Sequence, residues 1–192
     1  PQVEDHFSGY DLKSLSIFIE LNRIKTPLNP KDGYRSKIVM DKGGNIFGVS
    51  MGGVDFTRFS VTHTHFVPVS SKWTLAYRLF GGAYNKRTDM TTFETEKFML
   101  GGSNSLRGYK ELSFYGNYRA SFNLEPRYQW NDSLMGVLFL DGGYISDSLQ
   151  VPSSFYYGYG IGVRFLNSFM PIRVDLGVGD DVMLHFNVSQ TF

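Results

Sequence analysis

The feature that most constrains this chain is an alternation of period two that recurs almost end to end and sorts residues by polarity. Tyr118, Ala120, Phe122 and Leu124 alternate with Arg119, Ser121, Asn123 and Glu125. Tyr157, Tyr159, Ile161, Val163 and Phe165 alternate with Gly158, Gly160, Gly162 and Arg164. Successive side chains of a strand point to opposite sides, so each segment has one apolar, ring-rich face and one face of charge, hydroxyl or glycine. The same period runs through Leu15–Asn22, Tyr34–Met40, Trp73–Leu79, Leu134–Tyr144, Ile172–Leu176 and Val182–Val188, and more weakly through Phe56–Val67. Pro27, Pro30 and Asp32-Gly33 mark a turn, and Gly43–Gly53 reads as a loop or a frayed hairpin end. From Gly81 to about Ser113 no alternation is sustained, and so long a connection is uncommon unless it has a function.

Nine candidate strands of roughly 8–12 residues have the length that crosses a bilayer at a tilt. A soluble sandwich shows the same alternation with the apolar face hidden. What favours a membrane barrel is the quality of the polar face, where Arg119, Glu125, Arg164, Arg173 and Asp175 would line a wet lumen. The 17 Phe, 12 Tyr and 21 Gly fit interfacial girdles and tight inner walls. With no run of about 18 apolar residues, a membrane-spanning helix is excluded. The expected fold is therefore all-β, a transmembrane antiparallel half or short barrel of eight or nine strands. A short segment, residues 1–11, precedes a barrel domain over residues 12–192.

Several chemistries find no support. A net charge of +1 without a basic block gives no reason to expect nucleic acid. There is no cysteine for disulfides or thiolate metal sites. His63 and His65 could ligate a metal two apart on a strand, but no third ligand is evident, so solvent- or lumen-facing histidines are expected and no cofactor. Gly101-Gly102-Ser103 lacks the Gly-Lys-Ser/Thr that would make it a phosphate cradle, and no Gly-x-Ser-x-Gly nucleophile elbow is present.

The long connection carries Leu100-Gly101-Gly102-Ser103-Asn104-Ser105-Leu106-Arg107-Gly108-Tyr109. Here the sequence resembles the outer-membrane assembly and translocation superfamily of the BamA and TamA type, whose hallmark loop reads Val/Ile/Leu-Arg-Gly-Phe/Tyr. Asp32-Gly33, Phe66-Val67-Pro68-Val69, Lys72-Trp73, Leu124-Glu125 and Phe139-Leu140-Asp141-Gly142-Gly143 follow in the family's order, as does the strand Gly158–Arg164. The likeness covers nearly all the chain after about residue 12 and corresponds to the family's C-terminal half-barrel.

That resemblance implies a loop folded into the lumen, with Leu106, Arg107, Gly108 and Tyr109 as its lock and Glu125 and Asp141 as partners of the arginine. Alternation independently puts Glu125 on the polar face. Asp141 shares its parity with Met135, Val137 and Phe139, so its inward direction rests on the resemblance. Gly158, Gly160 and Gly162 would form a low wall for the loop. Phe186, Val188 and Phe192 would form an outward C-terminal assembly signal.

The implied role is non-enzymatic: insertion, assembly or translocation of outer-membrane proteins, with nascent proteins or translocated clients and outer-membrane lipid as partners. Two alternatives stay open. One is the barrel anchor of a patatin-like phospholipase whose catalytic part lies upstream; the other is a short homo-oligomeric pore or structural barrel. A half-barrel exposes two edges, so a missing half or another copy of the chain is expected to pair them. With the C-terminus in the periplasm, nine strands would put Pro1 outside the cell, which favours a piece of a longer barrel, whereas eight favour a self-contained one.

Overall fold

The structure is a computed structural model, and it describes residues 13–46, 48–50, 52, 54–86, 96–149, 155–166 and 171–188. Among them nine strands form one antiparallel sheet: β1 (Ser14–Asn22), β2 (Gly33–Gly43), β5 (Phe56–Pro68), β6 (Trp73–Lys86), β9 (Tyr118–Asn131), β10 (Leu134–Ser146), β11 (Phe155–Phe165), β12 (Ile172–Val178) and β13 (Val182–Asn187). Each pairs with the next in sequence, so the sheet is a meander, and β1 and β13 are its edges. Two small hairpins sit in the connections, β3 (Asn45–Ile46) with β4 (Val49–Ser50) and β7 (Phe98–Leu100) with β8 (Phe114–Gly116). The connections 23–32, 69–72 and 132–133 lie at one rim; the opposite rim carries 44–55, the long connection between β6 and β9, the one between β10 and β11, and the short turn 179–181.

Among the described residues the count is nine rather than eight, and the weak Phe56–Val67 segment is a full member. Its alternation is blurred because rings and hydroxyls occur on both faces. Phe56 and Phe66 point inward and are buried, while Phe59, Val61, His63 and His65 share the opposite parity. The histidines thus correct the sequence expectation: they lie on the outer face, where Ser36 Oγ shares a hydrogen bond of 2.8 Å with His63 Nδ1 and Tyr77 Oη one of 2.9 Å with His65 Nδ1. A second correction concerns residues 81–86, which continue β6 against β5 and β9; Gly81 and Gly82 hid the alternation there.

Solvent exposure divides the sheet in the reverse of a soluble protein's sense. Ile19 and Leu184 are each 71% exposed, and Ile17, Leu138, Tyr157, Ile161 and Phe186 are also exposed on that face. Arg107, Glu125, Asp141, Arg173 and Asp175, by contrast, have no accessible surface. In water, an apolar face this broad would remain unburied at roughly 25 cal/mol per Å². In lipid it is the ordinary outer surface of a barrel.

Candidate functional site

The long connection folds back over the polar face of the sheet, and each residue of its motif has a separate anchor. Gly101 and Gly102 take φ of 123° and 92°, which a side chain would oppose, and allow a tight turn in which Gly102 and Leu106 exchange backbone hydrogen bonds of 3.0 and 3.1 Å. The Glu111 carboxylate accepts from Ser103 N and Oγ, both at 2.8 Å, so the glycine-rich turn cradles an anion of its own chain. Leu106 is buried with Leu100 and Ile145, and Phe98, Tyr109, Phe114 and Tyr156 pack against them. Tyr109 meets Phe114 and Tyr156 edge-on at 5.5 and 6.1 Å. Gly108 (φ 86°) donates its N–H to His185 Nε2 at 3.2 Å.

Arg107 occupies the centre. Its Nε and Nη2 donate to the two oxygens of Asp141, both at 2.7 Å, a bidentate fork. Nη1 donates to Glu125 Oε1 at 2.7 Å and to Asp175 Oδ2 at 3.3 Å, and the backbone N–H reaches Asp141 Oδ2 at 3.1 Å. The Phe139 ring lies 3.6 Å below the guanidinium carbon. That ring explains why the inward face of β10 reads as apolar: Met135, Val137 and Phe139 are buried beside Asp141. Burial opposes the charge on Arg107, but Glu125, Asp141 and Asp175 outweigh it and hold the guanidinium above the ordinary arginine range.

The carboxylates are shared. Glu125 Oε2 accepts from Arg127 Nε and Nη2 at 2.9 and 2.7 Å, and Asp175 Oδ1 from Arg164 Nη1 at 2.5 Å. Arg173 Nε lies 3.3 Å from Asp175, and its Nη2 donates to the loop carbonyl of Ser103 at 2.7 Å. Asn123 bridges Asp141 and the Ser105 carbonyl at 2.8 and 2.9 Å. Four arginines and three carboxylates from the loop and four adjacent strands thus interlock. Removing one member of such a set leaves the others buried without full compensation, at a cost of roughly 3–5 kcal/mol.

The sequence reading named Arg107, Glu125 and Asp141, and the structure brings them together. Asp175, Arg164 and Arg173 stood on the expected polar face without a role, and Arg127 was missed. Its position two residues beyond Glu125, on the same face, was the available signal. Of the expected loop-packing glycines, Gly158 meets the loop: a Cβ there would collide with the Arg107 carbonyl oxygen. Gly160 instead makes room for the Phe139 ring and the Leu176 backbone, and Gly162 for Asp175 and Arg164. Gly177, not singled out from sequence, lies against Arg107 and Gly108. Phe186 and Val188 are exposed at edge strand β13, and Phe192 lies outside the described residues.

A polar, ion-paired inner face, an apolar outer face and a loop folded onto the inner one define a membrane-spanning β-sheet of the outer-membrane barrel class. Residues 5–192 match the Omp85 superfamily domain, and the chain belongs to that superfamily. It is 25% identical over 130 residues to the outer membrane transporter CdiB of Dickeya dadantii (strain 3937), a match covering 64% of this chain and 23% of that protein. Among solved structures it resembles BamA from Haemophilus ducreyi lacking POTRA domains 1–3, with a TM-score of 0.71 at 14% identity, over 92% of this chain and 40% of that one. CdiB from Escherichia coli gives a TM-score of 0.66 at 22% identity, over 93% of this chain and 35% of that one. The chain therefore spans about a quarter of the length of the curated relative it matches.

Proposed function

We propose that this chain is a membrane-inserted sector of a non-enzymatic outer-membrane barrel that assembles or translocates client proteins, with the loop around Arg107 as a lumenal plug. The observation that carries this reading is the fully buried Arg107, bonded to carboxylates of three different strands on the polar side of a sheet whose other side is apolar. A surface loop has no use for such an anchor, and a conduit that must be occluded does. The rim of the turns 69–72 and 132–133 would face the periplasm, and the rim that carries the connection with Arg107 the exterior. Edges β1 and β13 would each pair with a further strand, because every unpaired backbone group in hydrocarbon costs several kcal/mol. Such a strand would come from the same polypeptide or from another copy.

Reconstitution in liposomes, followed by heat-modifiable mobility and native mass, tests this reading. We expect a detergent-dependent, heat-modifiable species whose mass reports who supplies the edge partners. Arg107→Ala should raise leakage of the liposomes to small polar solutes. A protein that stays in the aqueous phase without detergent, or a variant with unaltered leakage, would contradict it.

A further inference from the structure

We propose that the cavity between the loop and the inner face of β5, β6 and β9 is a carboxylate-binding site, which takes an acidic side chain of a polypeptide lying in the lumen. This rests on the client-handling reading above. The cavity measures about 510 Å3, within the range of roughly 300–1,000 Å3 of small-ligand sites. Arg58, Arg78 and Arg119 bound it from the sheet, and Lys97 and Glu111 from the connection. Glu111 is thus the single carboxylate among its described lining residues, against four cations.

Most of these charges are already engaged. Arg58 Nε donates to Asp41 at 2.9 Å, and Lys97 Nζ lies 3.1 Å from Asp147. Glu111 is taken up by Ser103, as described above. Arg78 donates to Asn123 Oδ1 and to the loop carbonyl of Asn104.

Arg119 differs from its neighbours. Its Nη1 donates to the Met99 carbonyl at 2.7 Å and its Nη2 to Ser121 Oγ at 3.0 Å, both neutral acceptors. The buried Nε has no acceptor among the described residues, and the charge acting on the guanidinium is the like charge of Arg78. The Phe80 ring, 4.4 Å from the guanidinium carbon, covers one face without neutralising it. Charge-assisted bonds are roughly twice as strong as neutral ones, and more so away from bulk water. An anion is therefore the acceptor that Nε selects, and a carboxylate supplies one negative charge in the plane that a guanidinium matches. Phe80 and Phe98 meet edge-on at 5.6 Å beside it. A peptide side chain flanking the acid would cover these rings, whereas a free inorganic anion would leave them bare.

Titration calorimetry of the full-length protein in detergent tests the site, with a blocked Phe-Glu-Phe tripeptide as probe and its Phe-Gln-Phe counterpart as control. Expected is saturation at one Glu peptide per chain, weakening as salt is raised, with the Gln peptide at least about tenfold weaker. Arg119→Gln should weaken the Glu peptide roughly ten- to hundredfold. Ser121→Asp serves should that variant lose heat-modifiable mobility: it sets a carboxylate where Arg119 Nη2 already donates, and should abolish binding from within the chain. Equal binding of the two peptides, or binding of the Glu peptide unchanged in both variants, would overturn the site. Inorganic phosphate bound as tightly as the peptide would make it a free-anion site and overturn the assignment to a polypeptide. A detergent-dependent, heat-modifiable protein that binds no peptide would overturn the site and leave the membrane reading intact. A protein soluble without detergent would defeat the membrane reading itself.

Discussion

Asp141→Asn isolates the loop anchor with almost no change of shape. Asp141 Oδ2 accepts from Arg107 N and Nε at 3.1 and 2.7 Å, and Oδ1 from Arg107 Nη2 and Asn123 Nδ2 at 2.7 and 2.8 Å. Asparagine retains one oxygen, so whichever way the amide turns, its NH2 faces two donors. The substitution also leaves four buried arginines against two carboxylates. Breaking a buried, hydrogen-bonded charge set in this way costs roughly 3–5 kcal/mol. At about 1.4 kcal/mol per decade, the docked loop should lose at least about two orders of magnitude in its equilibrium against the undocked one. Hydrogen exchange of peptides covering residues 101–109, read against peptides from β9 and β10 in the same detergent, measures this directly. Loop amides should exchange much faster while the strand ladders keep their protection. Unchanged loop protection would refute the anchor. Simultaneous loss in loop and strands would show that the cluster holds the sheet rather than the loop.

Arg107→Lys should fail to restore loop protection despite keeping the charge, because an ammonium cannot form the fork to Asp141 or lie flat on Phe139; the same exchange assay checks it. Gly158→Ala should displace the loop by collision with the Arg107 carbonyl, seen as faster proteolysis within 101–109 at unchanged heat-modifiable mobility. Leu140→Lys, midway along the exposed face of β10, should cost about 2–4 kcal/mol of membrane stability and lower the fraction inserted into liposomes. Ser60→Lys, on the polar face of β5, should insert like wild type.

Much of this was legible in the sequence because strand geometry is local. Alternation alone located the strands and assigned Glu125 to the polar face, since a one-residue slip would exchange every side chain between lipid and lumen. It faltered where both faces carry similar chemistry, as at His63 and His65, and where glycines leave no side chain to alternate, as at Gly81-Gly82. It was also silent on Pro126, whose place in a central strand opens the ladder rather than ending it.

The sequence by itself determined that one face of each strand would be apolar and the other polar, and it marked Leu106-Arg107-Gly108-Tyr109 as a motif. Only the tertiary structure decided that Asp175, Arg127, Arg164 and Arg173 join Glu125 and Asp141 around Arg107, because those contacts span up to 68 residues and depend on register between strands. Which glycines make room for the loop was likewise decided by the sheet, since clearance depends on what neighbouring strands bring opposite. Alternation fixes the direction in which a side chain points, and register fixes what it meets there.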